Sequence, residues 1–265
     1  MNRITSRDNS LLKHARAVRD GKIQDSIFVE GLRLCEEALR SQLQIEAVIY
    51  SDDITQKDRA AALIDELEKL APTSAAVSEK LLVSISYTKT PQGIVVLASR
   101  PAISQKDFAQ SQNGTPLLAI LHGINNPVNL GAILRTAEAA GATGVLTTDG
   151  TTDPFSPKSL RGAMGAAFRL PIWTGVEYQE AIDWCRERSI RTICADAHAN
   201  ESYTNVDWRV PAALIVGAES NGLTEEEVSR ADQAVRIPMR EATESLNVAV
   251  AAGVLLYEAH RQRSV

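Results

Sequence analysis

A chain of 265 residues, 44% apolar and 23% charged, carries enough apolar material for one large or two medium globular domains. Its net charge of −5 argues against binding nucleic acid by overall charge, and no apolar run reaches the roughly 20 residues of a membrane helix. Three widely spaced cysteines (Cys35, Cys185, Cys194) without a CxxC, and four histidines without ligand spacing, argue against a disulfide framework or a metal site and for a reducing cytoplasm. The N-terminus carries charges throughout and lacks the apolar segment of a secretory signal. Residues 1–22 hold six basic groups (Arg3, Arg7, Lys13, Arg16, Arg19, Lys22) against two acids, Asp8 and Asp20. A solvated basic helix is the plainest reading of that excess, ahead of a phosphate-contacting arm.

In chain order, a helix is expected from Asn9 to Arg19, a strand from Ser26 to Glu30, a helix from Gly31 to Ser41 and a strand from Ile45 to Ser51. Apolar residues at helical spacing (Ala60, Leu63, Ile64, Leu67, Leu70) predict a helix over Thr55–Leu70. A further helix near Ser78–Ile85 and a strand over Gly93–Ala98 complete an αβ unit spanning residues 1–100. The stretch Ser99–Pro116, with two prolines, a glycine and a polar run, reads as a linker, placed at 101–115. From 116 to 265 strands and helices alternate. Leu117–His122 is a strand, Asn129 caps a helix through Ala140, and Gly141 ends it at a C′ position. Gly144–Thr148 is a strand, Ser156–Ala167 a helix, Tyr178–Arg188 an amphipathic helix, and Arg191–Ala195 and Ala212–Val216 are strands. Thr224 and Glu227 form a capping box. Ala234–Pro238 is the last strand and feeds a helix entered at Ser245. From Leu246 to Tyr257 the only polar side chain is Asn247, so this helix is expected to be buried on all sides, in a core that often also faces a second subunit. The alternation predicts an α/β class with a mostly parallel sheet, whose ligands sit at the carboxyl ends of strands.

Three loops leave such ends: His122–Arg135, Ile215–Leu223 and Pro238–Asn247. Each is rich in glycine, asparagine or both, which permits close backbone approach and reading of a base or ribose by amides. None contains a GxGxxG or GxxxxGK[ST] phosphate cradle, and no Gly-x-Ser-x-Gly elbow is present.

Asn-x-Gly-x-x-x-Arg-Thr at Asn129–Thr136, Gly-x-Glu-x-x-Gly-Leu at Gly217–Leu223, and Ile-Pro-Met…Ser-Leu-Asn-Val-x-Val-Ala at Ile237–Ala251 occur in that order. Together they resemble the three signature motifs of SpoU-type (TrmH-like) RNA 2′-O-ribose methyltransferases of the SPOUT class. The N-terminal unit is similar to the RNA substrate-binding domain often attached to these enzymes, through Phe28-Val29-Glu30-Gly31 and Thr90-Pro91-Gln92-Gly93-Ile94. The resemblance implies a trefoil-knotted α/β domain, a homodimer formed through it, S-adenosyl-L-methionine as cofactor and a structured RNA as substrate. Ribosomal RNA of the 23S type is favoured, transfer RNA next, and the location implied is cytoplasmic. By the same resemblance Ala195, Gly217, Ile237 and Leu246 hold the cofactor, largely through backbone groups. Asn129, Arg135, Glu219, Ser245 and Asn247 form the catalytic constellation, and no metal is implied.

A ribose hydroxyl is a poor nucleophile, so methyl transfer needs in-line placement and help with the proton. The family's proposed base corresponds to Arg135, yet a guanidinium stays protonated at a pKa above about 12. Arg135 is therefore read as fixing the adjacent phosphate and stabilising alkoxide charge, with Glu219 orienting it. Asn247 and Ser245 then position the ribose. The plain alternative pairs Arg135 with Glu138 on a helix surface. Arg240-Glu241-Ala242-Thr243-Glu244 stands where many relatives carry a glycine. RNA affinity must come from local cations: Arg135, Arg161, Arg169, Arg240 and the basic N-terminus.

Overall fold

A computed structural model describes residues 3–101, 103–111, 114–240 and 244–264. Its contacts divide into two compact units, Met1–Pro101 with Phe155–Phe168, and Ala102–Pro154 with Arg169–Val265.

The first unit runs β1 (Arg3–Ile4), α1 (Ser10–Arg19), β2 (Ser26–Glu30), α2 (Leu32–Arg40), β3 (Ile45–Ser51), α3 (Asp58–Leu70), β4 (Thr73–Val77), α4 (Glu79–Ile85) and β5 (Ile94–Ser99). The strands form a mixed sheet in the order β1-β4-β3-β5-β2, with β1, β4 and β3 parallel and β5 antiparallel to both its neighbours. The short β1 and the alanine-rich β4 escape the pattern of alternating or branched apolar residues, because Thr73-Ser74-Ala75-Ala76-Val77 carries little side-chain signal. The expected helix over Thr55–Leu70 is shorter: Asp52–Gln56 is a 3-10 turn, and α3 begins only at Asp58.

The remaining elements are α5 (Gln105–Ser111), β6 (Leu117–Leu121), α6 (Pro127–Ala139), β7 (Gly144–Thr148), α7 (Pro157–Ala163), α8 (Ala166–Arg169), β8 (Ile172–Val176), α9 (Tyr178–Glu187), β9 (Arg191–Ala195), β10 (Glu201–Ser202), β11 (Ala212–Val216), α10 (Glu225–Arg230), β12 (Gln233–Arg236) and α11 (Val248–Arg263). The second unit's seven strands lie in the order β10-β12-β9-β11-β6-β7-β8, and every neighbouring pair is parallel. β6, β7 and β11 are buried along their whole length, as parallel strands covered on both faces must be. This is the α/β class the alternation predicts.

Five local expectations are corrected. The polar stretch 101–115 contains α5, whose Phe108 is fully buried against Trp173 and Trp184, with ring centroids 6.0 and 5.4 Å away. One buried ring gives no periodicity, so the helix is silent in the sequence; Ala102, Gln112 and Asn113 lie outside the described residues. The helix expected over Ser156–Ala167 is broken into α7 and α8 at Met164 and Gly165, which take φ values of +50° and +93°. The cap of α6 is Asn126, not Asn129: Asn126 Oδ1 accepts from Val128 N at 2.9 Å, and Pro127 suits the first helical turn. The cap of α11 is likewise Asn247 rather than Ser245, with Oδ1 accepting from Ala249 N (3.0 Å) and Val250 N (3.4 Å). Nor is α11 buried on all sides within one chain. Val248, Ala252, Leu255, Leu256 and Ala259 face inward, while Val250 and Tyr257 are 53% and 51% exposed.

The capping box stands as expected: Thr224 Oγ1 accepts from Glu227 N and Glu227 Oε2 from Thr224 N. Gly141 follows α6 with φ +82°, the left-handed position that favours glycine. Among the described residues no helix is long and apolar enough to cross a membrane. All three cysteines are free and buried, and burial pushes their thiols up, Cys194 to about 11.

Candidate active site

The carboxyl ends of β9, β11 and β12, the first turn of α6 and the entry to α11 surround one cavity of about 560 Å³. That is within the range of small-molecule sites, roughly 300–1,000 Å³. Ala195, Gly217, Ile237 and Leu246 all line it, as do Asn129, Glu219, Ser245 and Asn247. Arg135 does not.

The wall at β11 is set by a glycine. A Cβ on Gly217 would come within 2.6 Å of the Gly222 carbonyl carbon and 2.8 Å of Leu223 N. No other side chain fits there, because the loop doubles back on itself. Gly222 N donates to Ala218 O at 2.9 Å, and Gly222 takes φ +63°. Gly217 thus lets the loop close, and the backbone it exposes faces the cavity.

Three loops are tied together at the rim by one chain of hydrogen bonds. Asn247 Nδ2 donates to Asn129 Oδ1 (3.3 Å), and Asn129 Nδ2 donates to Glu219 Oε1 (3.1 Å). Glu219 also accepts from Asn125 N (3.2 Å) and Asn126 N (3.1 Å). A carboxylate can only accept, so it fixes which end of the Asn129 amide faces it; that in turn fixes Asn247. Burial pushes the Glu219 carboxyl up, but the hydrogen bonds from Asn129 and the backbone amides outweigh it, and its pKa lies below the ordinary 4.5. Asn129 is free for this work because Asn126 has taken over the cap. Asn247 serves twice, its oxygen capping α11 and its nitrogen joining the chain. Its second amide hydrogen has no partner among the described residues.

Arg135 lies on α6, exposed, with no hydrogen bond or ion pair among the described residues. Glu219 therefore does not orient it, contrary to expectation: the carboxylate is spent on Asn129 and two backbone amides. Nor does Glu138 pair with Arg135; it forms a two-pronged pair with Arg169. Of the cations considered for RNA, Arg169 is thus committed locally and Arg135 is not. Glu241, Ala242 and Thr243 of the departing loop lie outside the described residues.

Two further residues support this site, and no motif in the sequence marks them. His122 is structural. Its Nδ1 meets Thr148 Oγ1 and its Nε2 meets Glu227 Oε1, both at 2.9 Å, and its ring lies 4.6 Å from that of Tyr178. It thereby ties the end of β6 to β7, α9 and the capping box after the Gly217 loop. Asp196, one residue past β9, also lines the cavity, and its Oδ1 accepts from His198 N at 2.9 Å.

The family model of the SpoU rRNA methylase family matches residues 116–257, more than half of the chain. The chain belongs to the SpoU rRNA methylase family. A second model, the MRM3-like substrate binding domain, matches residues 12–96 of this SpoU methylase. The 23S rRNA (guanosine-2′-O-)-methyltransferase RlmB of Ralstonia nicotianae is 36% identical over 237 residues, covering 89% of this chain and 95% of that relative. An AdoMet-bound rRNA methyltransferase from Sinorhizobium meliloti is 29% identical with a TM-score of 0.84, covering 98% of this chain and 97% of the other. The SpoU methyltransferase AviRb from Streptomyces viridochromogenes, in complex with AdoMet, superposes with a TM-score of 0.86 at 26% identity, covering 97% and 98%. As a SpoU methylase this chain is an S-adenosylmethionine-dependent RNA methyltransferase of SPOUT fold.

The cavity fits that cofactor on its own chemistry. Its side chains include the apolar Val216, Val235, Ile237, Leu246 and Leu255, and the acids Asp196, Glu219 and Glu244, with no lysine or arginine among the described residues. Such a lining suits a ligand with an aromatic base and two cationic centres, and it is unsuited to a polyphosphate.

Proposed function

We propose that this SpoU methylase methylates the ribose 2′-hydroxyl of a nucleotide in structured ribosomal RNA, with transfer RNA as the next choice of substrate. The observation that carries the reading is the Asn247–Asn129–Glu219 chain at the rim of an acidic, half-apolar cavity. The guanosine-2′-O specificity named for the Ralstonia relative supports the hydroxyl as acceptor.

Bound S-adenosylmethionine supplies a methyl group on a positively charged sulfur. Ala195, Gly217, Ile237 and Leu246 would hold it, Gly217 through main-chain groups. Asn129, Asn247 and Ser245 then hold the ribose: each of the two amides keeps hydrogen-bonding capacity after its partners in the chain are counted. Glu219 acts through Asn129 as a positioning residue. Arg135 contributes positive charge for a phosphate and for the ribose oxygen, whose proton passes to solvent water as the methyl group is transferred.

The domain limits proposed are 1–100 for RNA substrate binding, 101–115 for the connection and 116–265 for methyl transfer. The trefoil passage implied by the family belongs to this proposal, as do a cytoplasmic location and a homodimer. The face offered to a second copy combines Val128, Val250 and Tyr257, which are 49%, 53% and 51% exposed. Arg135 lies seven residues, two helical turns, beyond Val128 and so on the same side of α6. Pairing through this face would place the cation beside the interface.

Titration calorimetry with S-adenosylmethionine, followed by mapping of 2′-O-methyl groups on 23S-type RNA, tests the reading. Micromolar binding and one new methylated site are the expected results. Saturable RNA binding with no cofactor binding would favour a non-catalytic assembly factor instead.

A further inference from the structure

In the first unit, a short segment after α4 is gripped from both sides by charged groups that methyl transfer does not use. Arg19 Nη1 donates to the carbonyls of Ser84, Ile85 and Ser86, at 3.5, 3.1 and 3.2 Å. On the other side Glu30, only 7% exposed, accepts from Tyr87 N at 2.8 Å, Thr88 N at 3.1 Å and Thr88 Oγ1 at 2.5 Å. A few residues on, Gln92 Oε1 accepts from Leu32 N at 3.0 Å and anchors the loop to α2. Carbonyls on a cation and amides on a buried carboxylate leave this main chain little freedom.

What the fixed segment presents outward is apolar. Tyr87 is 44% exposed and Val83, one turn earlier on α4, is 46% exposed. Lys80, three residues before Val83 on the same face of α4, is exposed, as is Lys89 two residues after Tyr87. Lys22 is exposed beyond Asp20, whose carboxylate is bound by Arg19 at 2.8 Å. None of the three lysines has an ion-pair partner among the described residues, and Glu79 is the one acid on α4. An exposed aromatic side chain on a fixed main chain, with exposed, unpaired ammonium groups on the neighbouring helix and loop, is what a single strand of nucleic acid requires, since every base has a face to stack and every linkage a charge to meet. A duplex offers no free base face.

We propose that this platform binds an unpaired nucleotide of the RNA substrate, its base on the Tyr87 ring and its flanking phosphates at Lys80, Lys89 and Lys22. The inference rests on the RNA-methyltransferase reading and gives it a surface that sets where the target region is held. Glu30 and Arg19 are positioning residues for the platform.

Fluorescence anisotropy with a labelled oligouridylate of roughly 12 nucleotides, within the range of single-strand sites, tests this on the full chain. A duplex of the same length is the control. Tyr87→Ala should weaken the single strand roughly tenfold and Tyr87→Phe by less than about twofold, with duplex binding unchanged. Lys89→Ala should lower the salt slope of single-strand binding by about 0.7, the value of one released counterion. Calorimetric affinity for S-adenosylmethionine should be the same in all three variants, and an unchanged thermal denaturation profile shows that the first unit, which carries the substitutions, is folded. Wild-type oligouridylate binding by Tyr87→Ala would overturn the proposal. So would a loss seen only on protein-bearing ribosomal particles, which would assign the face to a protein partner. Absence of S-adenosylmethionine binding in the wild type would instead overturn the methyltransferase reading, and Tyr87-dependent binding of the oligouridylate would then still support the platform.

Discussion

At its first turn α11 is held by one uncharged side chain, Asn247, whose oxygen caps the helix while its nitrogen reaches Asn129. At its last turn Arg263 donates to four backbone carbonyls: Trp208 at 2.6 Å, Thr115 and Val210 at 2.8 Å, and Pro116 at 2.9 Å. Gln262 adds bonds to Val206 O and from Trp208 N. One end is tied with as few bonds as the helix needs and keeps a donor free beside the cavity. The other end is committed to the fold, and burial pulls the pKa of Arg263 below that of a free guanidinium. The difference separates binding from stability along a single helix, and mutations should report it as such.

The largest effect is expected at the committed end. Arg263→Ala leaves four carbonyls without their charged donor, at a loss of about 3 kcal/mol or more. For a chain of this size that lowers the melting temperature by roughly 6–12 °C. Thermal denaturation checks it, and the folded fraction should still bind S-adenosylmethionine with wild-type affinity. A variant that keeps its melting temperature but loses cofactor would reverse the assignment of the two ends.

At the open end the first test is Arg135→Ala. Because Arg135 lies outside the cavity lining, cofactor affinity should hold while turnover on RNA falls about 100-fold or more. Full activity in this variant would remove Arg135 from the mechanism. Next is Asn247, where two substitutions divide its two roles. Asn247→Asp keeps an oxygen for the cap but no nitrogen to donate to Asn129; Asn247→Ala removes both. Turnover should fall about tenfold or more in each, as expected for a lost positioning bond. Only the alanine variant should also lose about 1 kcal/mol of stability, the usual worth of a cap. Equal stability losses in the two would show that the bond to Asn129, rather than the cap, holds the helix end.

Most of this contrast could be read from the sequence at the open end and very little of it at the committed end. Asn129, Glu219, Ser245 and Asn247 stand out because glycine and amides cluster where strands end, and the family resemblance joins them. The cavity then gathers all four with Ala195, Gly217, Ile237 and Leu246. The partners within the site were not legible: Glu219 was expected on Arg135 and instead holds Asn129, a matter of a few ångströms that spacing does not encode. Arg263 is silent for a different reason. A terminal arginine on a charged last turn looks like any solvated cation, and its four acceptors are main-chain atoms, which no residue pattern marks. The same holds for α5, where a single buried Phe108 makes a helix of a polar stretch, and for β4, whose alanines carry no strand signature.

The smallest effect expected is that of pH on the open end, and its sign follows from Glu219. Its folded pKa lies below the ordinary 4.5, so the bonds it accepts stabilise the site fully above about 4.5 and are lost as pH falls through the folded value. Cofactor affinity, followed by calorimetry, should therefore stay level from about pH 8 to about pH 5 and weaken only below 4.5. In Glu219→Gln the acid-side loss should vanish, because no proton is left to bind, while affinity at neutral pH falls modestly as one carboxylate oxygen becomes a donor facing donors. Arg263 makes the matching control, since a guanidinium held by carbonyls stays charged across that whole interval. A wild-type affinity that declined already between pH 7 and pH 5 would take the pH dependence away from Glu219.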